Sequence, residues 1–289
     1  MSKRIKVNTM KKLVIITFIL NLLSVPIVSG ITDLKTFGKK TLLIINFNHP
    51  YYSNIEFLKK LYLPHFPNIV FYGPADHPEV IRCDHVEGYF GYKVLADALG
   101  RYSNYEGYLY TNDDCILNFW NFMRFDPNKI WQCKPFFAKE DSYTAWWWGK
   151  QMGINETMRT YRSLPKKYIN MVCNNYPDHI IPRFNVPLLG AFADLVYLPA
   201  HYREDIIPLV NIFAQHKVFL EIAMPTIVAC LENRNKCEYF NGLALWDGDR
   251  SKLIEKYSSS LDYIHPVKLS DQRLRNLVSK QFDTALKTN

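Results

Sequence analysis

The chain lacks the short signatures of several common chemistries. It has no G-x-S-x-G, no P-loop and no H-E-x-x-H, which removes nucleophile-elbow hydrolases, P-loop nucleotidases and zincin proteases. No G-x-G-x-x-G follows the first strand-like run, so no nicotinamide cofactor is expected. No C-x-x-C or Cys/His spacing marks a zinc site. No acid precedes Asp33, and no dense Lys/Arg run occurs in the body of the chain. Much of the formal net charge of +8 therefore sits in Lys3, Arg4, Lys6, Lys11 and Lys12, a distribution that argues against nucleic acid as a partner. Internal repeats and low-complexity tracts are also absent.

What is present is a core-forming composition. Of 289 residues, 48% are hydrophobic and 15% aromatic, which suits one large α/β domain or two small ones and is too apolar for general disorder. The five basic residues precede the apolar run Leu13 to Val28 and the small residues Ser29 and Gly30. Residues 1–30 read as a cleaved signal peptide, or as a type II signal anchor that would tether the chain to a membrane. Either sends the remainder into the secretory pathway, to the Golgi or endoplasmic reticulum lumen or out of the cell. Residues 31–40 read as a linker or stem, 41–270 as a single catalytic domain and 271–289 as a C-terminal helix or tail. The triplet Asn155-Glu156-Thr157 is an N-glycosylation sequon. Six cysteines form an even set that an oxidising compartment would pair, Cys230 and Cys237 being close enough in sequence to bridge.

Strand-like and helix-like runs alternate from Thr41 onwards. Thr41 to Phe47 is a continuous apolar run, as in a strand covered on both faces. Ile55 to Leu63 carries helical spacing and ends at Pro64, and Asn68 to Pro74 is a second strand. A helix over Tyr89–Tyr102 and a strand over Gly107–Thr111 follow. Gly190–Pro199 reads as one further strand, and Val218–Glu232 as a helix with Pro225 as a kink. The pattern predicts a Rossmann-like, mostly parallel central sheet flanked by helices.

In such sheets ligands sit outside the carboxyl ends of the strands. Asn46, Asn48 and His49 follow the first strand, Tyr72 and Gly73 close the second, and Asn112-Asp113-Asp114 close the strand over Gly107–Thr111. Two adjacent acids repel each other and call for a cation. Hard carboxylate oxygens suit Mg2+ or Mn2+, which bridges protein to substrate phosphates. The plain alternative is an Asx turn capping a helix near Ile116. Glu221, amid apolar neighbours, is a candidate general base unless it is exposed or paired with Arg203 or Lys217. Asp194 has the same ambiguity. Lys93 faces either donor phosphates or its helical neighbour Asp97. Trp146, Trp147 and Trp148 cannot all point inward, so Trp147 and Trp148 are candidates for stacking on an acceptor sugar, with a core or membrane-proximal role as the alternative.

The strand ending in Asn112-Asp113-Asp114 resembles the nucleotide-sugar glycosyltransferases of the GT-A class, whose DxD motif binds a divalent metal and the donor diphosphate. The layout from Thr41 to Ser270 resembles the STELLO-like and exostosin-like branches. Asp114 matches the second acid of the motif, whereas Asn112 departs from the first. The resemblance implies a GT-A-like fold and metal-dependent sugar transfer to a glycan, glycoprotein or lipid acceptor. It implies a metal set of Asp114, Asp113 and a late histidine, His265. The donor would lie among Asn46, Asn48, Tyr72, Gly73, Lys93, Asn112, Asp113 and Lys268. Glu221 and Asp194 would be the catalytic carboxylates. The competing expectation is a carbohydrate-binding or scaffold protein without turnover, motivated by Asn112.

Overall fold

The structure is a computed structural model, and it describes residues 30–31, 33–138, 152–245 and 252–288. The N-terminal basic and apolar run and the three consecutive tryptophans lie outside the described residues.

The strands are β1 (Thr41–Asn46), β2 (Ile69–Gly73), β3 (Val80–Arg82), β4 (Gly107–Asn112), β5 (Ile116–Leu117), β6 (Trp131–Gln132), β7 (Phe136–Phe137), β8 (Ile180–Ile181), β9 (Val186–Pro187), β10 (Leu189–Gly190), β11 (Leu195–Pro199), β12 (Glu238–Tyr239), β13 (Leu243–Ala244) and β14 (Tyr263–His265). The helices are α1 (Leu34–Lys40), α2 (Ile55–Tyr62), α3 (Tyr92–Arg101), α4 (Ile154–Ser163), α5 (Lys166–Asn175), α6 (Arg203–Gln215), α7 (Leu220–Leu231), α8 (Leu253–Lys256) and α9 (Gln272–Thr288). Among the described residues the main sheet has seven strands in the order β12-β6-β11-β4-β1-β2-β3. All neighbours are parallel except β11, which runs antiparallel to both β4 and β6. The expected α/β architecture with a mostly parallel, helix-flanked sheet is borne out.

The continuous apolar runs have a direct cause. In β1, Leu42 and Ile44 enter one buried cluster and Leu43 and Ile45 the other. Tyr108 and Tyr110 of β4 likewise oppose Leu109, and Val196 and Leu198 of β11 oppose Leu195 and Tyr197. Side chains alternate across a strand, so a sheet covered on both faces needs apolar residues at every position. One face is covered by α3, α6 and α7, through residues such as Leu95, Leu209 and Ile227. The other is covered by α2 and α9, through Leu58, Tyr62, Val278 and Phe282.

Several local expectations are corrected. The helix expected near Ile116 is instead β5, followed by a 3-10 segment, Phe119–Arg124, because Ile116 and Ile264 pair in a second sheet of order β13-β14-β5. The single strand expected over Gly190–Pro199 divides into β10 and β11, with Asp194 between them. The segment read as a stem contains α1, whose N-cap Asp33 accepts from the backbone N–H of Lys35 and Thr36. Phe37 of that helix is buried, stacking on Trp131 at 5.4 Å. All six cysteines are free thiols. The suggested Cys230–Cys237 bridge is absent, and the Cys237 thiol instead lies 3.7 Å from the Asn233 carbonyl. The sequon begins α4, with Thr157 buried and its hydroxyl donating to Gly153 O. Among the described residues no helix is long and apolar enough to cross a membrane.

Candidate active site

The parallel register ends β1 and β4 level with each other, Asn46 opposite Asn112. Beyond β4 the chain turns tightly, Cys115 N–H donating to Asn112 O at 3.1 Å. Asp113 N–H donates to Asn46 O at 2.9 Å, which pins the start of the acidic pair to β1. Pairing of β5 with β14 then carries the 263–268 segment across, and Val267 N–H donates to Asp114 O at 2.7 Å. His265 and Lys268 reach Asp114 by this route from far along the chain. Lys268 Nζ donates to Asp114 Oδ2 at 2.8 Å, and His265 Nε2 lies 3.4 Å from Asp114 Oδ1. The second contact is an ion-pair distance without hydrogen-bond alignment.

Asp114 and Lys268, but not His265, border a cavity of about 280 Å3 at the carboxyl edge of the sheet. Asn48 and His49 after β1, Asp113 and Asp114 after β4, and Lys268 and Arg275 line it. Its remaining wall includes Asn54 and Glu87. Arg275 donates to Asn54 Oδ1 at 2.7 Å, so the first turn of α9 braces the loop after β1. Glu87 sits in a run of left-handed residues, Val86, Glu87 and Gly88. Gly88 is required there: its φ is +87°, and a Cβ would come within 2.2 Å of Asn48 Oδ1.

The two acids are driven apart electrostatically. Asp113 is only 5% exposed, and burial, reinforced by repulsion from Asp114, pushes its pKa well above the carboxylate range. Burial would also raise Asp114, but His265 and Lys268 outweigh it and hold Asp114 below its ordinary value. Burial works against the charged form of His265, while Asp194 and Asp114 raise its pKa overall.

Asn112 is directed away from the cavity into a buried network. Its Nδ2 donates to Asp194 Oδ1, and its Oδ1 accepts from Tyr110 Oη at 2.9 Å and Asn46 Nδ2 at 3.1 Å. Asn46 also donates to Asn48 Oδ1 at 2.9 Å. Asn46, Asn112 and Asp194 thus lie beneath the cavity. Burial raises the Asp194 pKa, partly offset by the positive field of His265. Glu221 is buried in the first turn of α7 and does not line this cavity. Its carbonyl accepts from Ala191 N–H at 2.9 Å, and the neighbouring Phe192 ring rests 4.8 Å from His265.

Other candidates lie elsewhere. Tyr72 is fully buried and donates to Asp97 Oδ2 at 2.9 Å. Gly73 packs under Tyr52. Lys93 donates to Asp84 O, so the pairing with Asp97 considered for it does not form; Asp97 instead accepts from Arg101 Nε at 2.5 Å. Trp147 and Trp148 are outside the described residues. Sequence reasoning missed Asn54, Glu87 and Arg275. Asn54 stands in a polar loop after β1, where a strand-end signal was available; Arg275 has no local signal.

No family model matches the chain. It is 22% identical over 250 residues to "Probable glycosyltransferase STELLO2" of Arabidopsis thaliana, covering 83% of this chain and 31% of that protein. To "Probable glycosyltransferase STELLO1" of the same plant it is 23% identical over 202 residues, covering 68% and 25%. The chain thus spans less than a third of the length of these curated relatives. A solved structure of core-mannan synthase A (CmsA/Ktr4) from Aspergillus fumigatus, in its Mn/GDP form, overlaps with a TM-score of 0.40 at 11% identity, covering 70% of this chain and 72% of that one. Nothing is transferred from so distant an overlap. The resemblance to STELLO-like proteins, read from the layout between Thr41 and Ser270, is borne out by the two sequence relatives, and over most of its own length the chain is similar to proteins named as glycosyltransferases.

Proposed function

We propose that the chain transfers a sugar from a nucleotide-diphosphate donor to an acceptor hydroxyl, with the donor diphosphate in the cavity beside Asp113, Asp114 and Lys268. The observation that carries this reading is an adjacent acid pair bordering a cavity at the carboxyl edge of a mostly parallel sheet, with a lysine on one of the acids. Similarity to proteins named glycosyltransferases supports it. The acceptor oxygen bonds to the anomeric carbon while the bond from that carbon to the diphosphate oxygen breaks. The diphosphate leaves with the electron pair, and the acceptor's proton passes to a basic group on the acceptor side of the cavity. Glu221, which does not line the cavity, is not assigned that step.

The donor set fits a hard divalent cation in part. Asp114 Oδ1 accepts no hydrogen bond, and Asp113, whose raised pKa a bound cation would lower, adds a second carboxyl group at the cavity. Among the described residues no three His, Cys, Asp or Glu side chains cluster as a complete metal site, so donor phosphate oxygens would supply the remaining ligands. Mn2+ or Mg2+ held there would act as a Lewis acid towards the leaving diphosphate. Lys268 adds positive charge at the same place, and Asn48 and His49 would border the nucleotide. Asn46, Asn112 and Asp194 support this floor from beneath. The basic and apolar N-terminus supports a secretory-pathway location for the activity.

Calorimetry with a panel of nucleotide diphosphates, with and without Mn2+, tests the reading. The expected outcome is metal-enhanced binding, reduced at least tenfold in a folded Asp114→Ala variant. Binding indifferent to both would sink it. The locked position of Asn112 favours one second reading, a carbohydrate-binding protein without turnover, which predicts saccharide binding but no donor hydrolysis.

A further inference from the structure

A second cavity, of about 320 Å3, lies along the sheet's edge strand β12 and beside the carboxyl end of β6. Small-ligand sites commonly occupy roughly 300–1,000 Å3. Its walls combine aromatic faces with cations: Phe137, Tyr176 and Tyr239 together with Lys134 and Arg234. The aromatic wall is ordered by its own contacts. Phe137 packs on Tyr176 at 5.1 Å and stacks on His179 at 3.6 Å, and Tyr239 Oη donates to Arg234 O at 3.0 Å. The Arg234 guanidinium stands 5.4 Å from the Tyr176 ring centroid. Among the described residues neither Lys134 nor Arg234 has a carboxylate partner, in contrast to Lys236 next to them, which pairs with Glu232 at 3.6 Å.

We propose that this cavity is an acceptor subsite for a saccharide carrying a carboxylate, a uronate unit. Aromatic faces stack on the apolar C–H face of a sugar ring. The arginine fork matches a carboxylate geometrically, and a lysine adds a mobile second charge. Two cations without a carboxylate partner among the described residues, beside an aromatic wall, disfavour a purely apolar ligand and favour an anion. The location fits an acceptor. Only β11 separates β6 from β4, so at about 4.8 Å per strand spacing the two strands lie roughly 10 Å apart, both with carboxyl ends on the same edge. An extended oligosaccharide bridges such a distance with its anionic unit here and its reacting hydroxyl beside the first cavity. This assignment of the acceptor rests on the reading of the chain as a sugar transferase, whereas the saccharide site itself does not.

The test is direct binding to the full chain of matched trisaccharides bearing a uronate, a sulfate or no charge, with nucleotide-diphosphate binding measured in the same samples. The uronate compound is expected to bind at least tenfold more tightly than the neutral one. A Lys134→Gln/Arg234→Gln double variant, with an unchanged thermal midpoint, is expected to lose that preference and retain nucleotide binding. Each single variant, measured separately, guards against misfolding of the pair. Equal affinity for charged and neutral compounds, no measurable uronate binding, or a preference that survives in the variants overturns the proposal. Stronger binding of the sulfated compound overturns its assignment to a uronate. Loss of nucleotide binding in the unaltered chain with uronate selectivity intact would remove the donor reading alone.

Discussion

At the scale of single residues, Asn112 explains its own departure from an acidic motif. It is 1% exposed and donates to a buried carboxylate, Asp194, while accepting from Tyr110 and Asn46. An aspartate there would set two carboxylates in contact without a donor between them. Asn112→Asp is therefore expected to destabilise the fold by roughly 3 kcal/mol or more, the scale of an uncompensated buried charge. Adding Asp194→Asn reverses the pair and should recover most of the loss; urea midpoints of the single and double variants check both. His85 supports a prediction with a definite pH sign. It is fully buried, its Nδ1 accepts from Gly88 N–H at 2.9 Å, and burial lowers its pKa despite the opposing hydrogen bonds. The unfolded chain takes up a proton near pH 6.5 that the folded chain refuses. The contribution of His85 is thus complete above about pH 6.5 and is lost as pH falls below it, at up to about 1.4 kcal/mol per pH unit. His265 has the opposite sign, since its folded pKa is raised. Comparing the pH slopes of urea stability between the unaltered chain and His85→Gln isolates the histidine; identical slopes between pH 5 and 7 would refute the assignment.

At the scale of elements, legibility followed the range of the forces involved. The first two strands and α2 were readable because burial on both faces, or on one helical face, writes itself into adjacent residues. The carboxyl-edge position of Asp113 and Asp114 followed from the same alternation. The β5–β14 pairing was not readable, because two-residue strands carry no period and their partner lies far along the chain. The contact of Asn112 with Asp194 and of Arg275 with Asn54 are long-range for the same reason. Helix α1 was missed because seven residues with a glycine inside read as a linker; besides its Asp33 cap, its largest buried side chain is Phe37. Phe37 stacks on Trp131, tilts against Tyr197 at 5.6 Å and meets Phe66 edge-on at 6.1 Å. Phe37→Ala should cost about 3–5 kcal/mol and free α1 before the rest of the domain. Limited proteolysis would then cut between residues 33 and 40 in the variant and not in the unaltered chain. Equal cutting in both would show that α1 is held by something else.

At the scale of the whole molecule, the candidate site is closed by segments that meet only in the finished fold: the ends of β1 and β4, the chain after β14, and α9. The C-terminal helix has two separable roles. Through Phe282, which meets Trp120 at 5.1 Å and Phe119 at 5.6 Å edge-on, it completes the buried cluster on one sheet face. Through Arg275, which donates to Asn54 Oδ1 and Leu269 O, it ties the loop after β1 to the segment carrying Lys268. The two substitutions should therefore fail differently. Phe282→Ala is expected to lower stability by about 3–5 kcal/mol, with nucleotide-diphosphate affinity unchanged at temperatures where the variant remains folded. Arg275→Ala removes charge-assisted hydrogen bonds worth roughly 1.5–3 kcal/mol each where well formed. Because they order the cavity wall, it should weaken nucleotide-diphosphate binding about tenfold with a smaller fall in the urea midpoint. Calorimetry and denaturation on the two variants decide the matter. If both lose affinity only in proportion to lost stability, α9 is a structural brace and the wall it forms makes no contribution to the ligand.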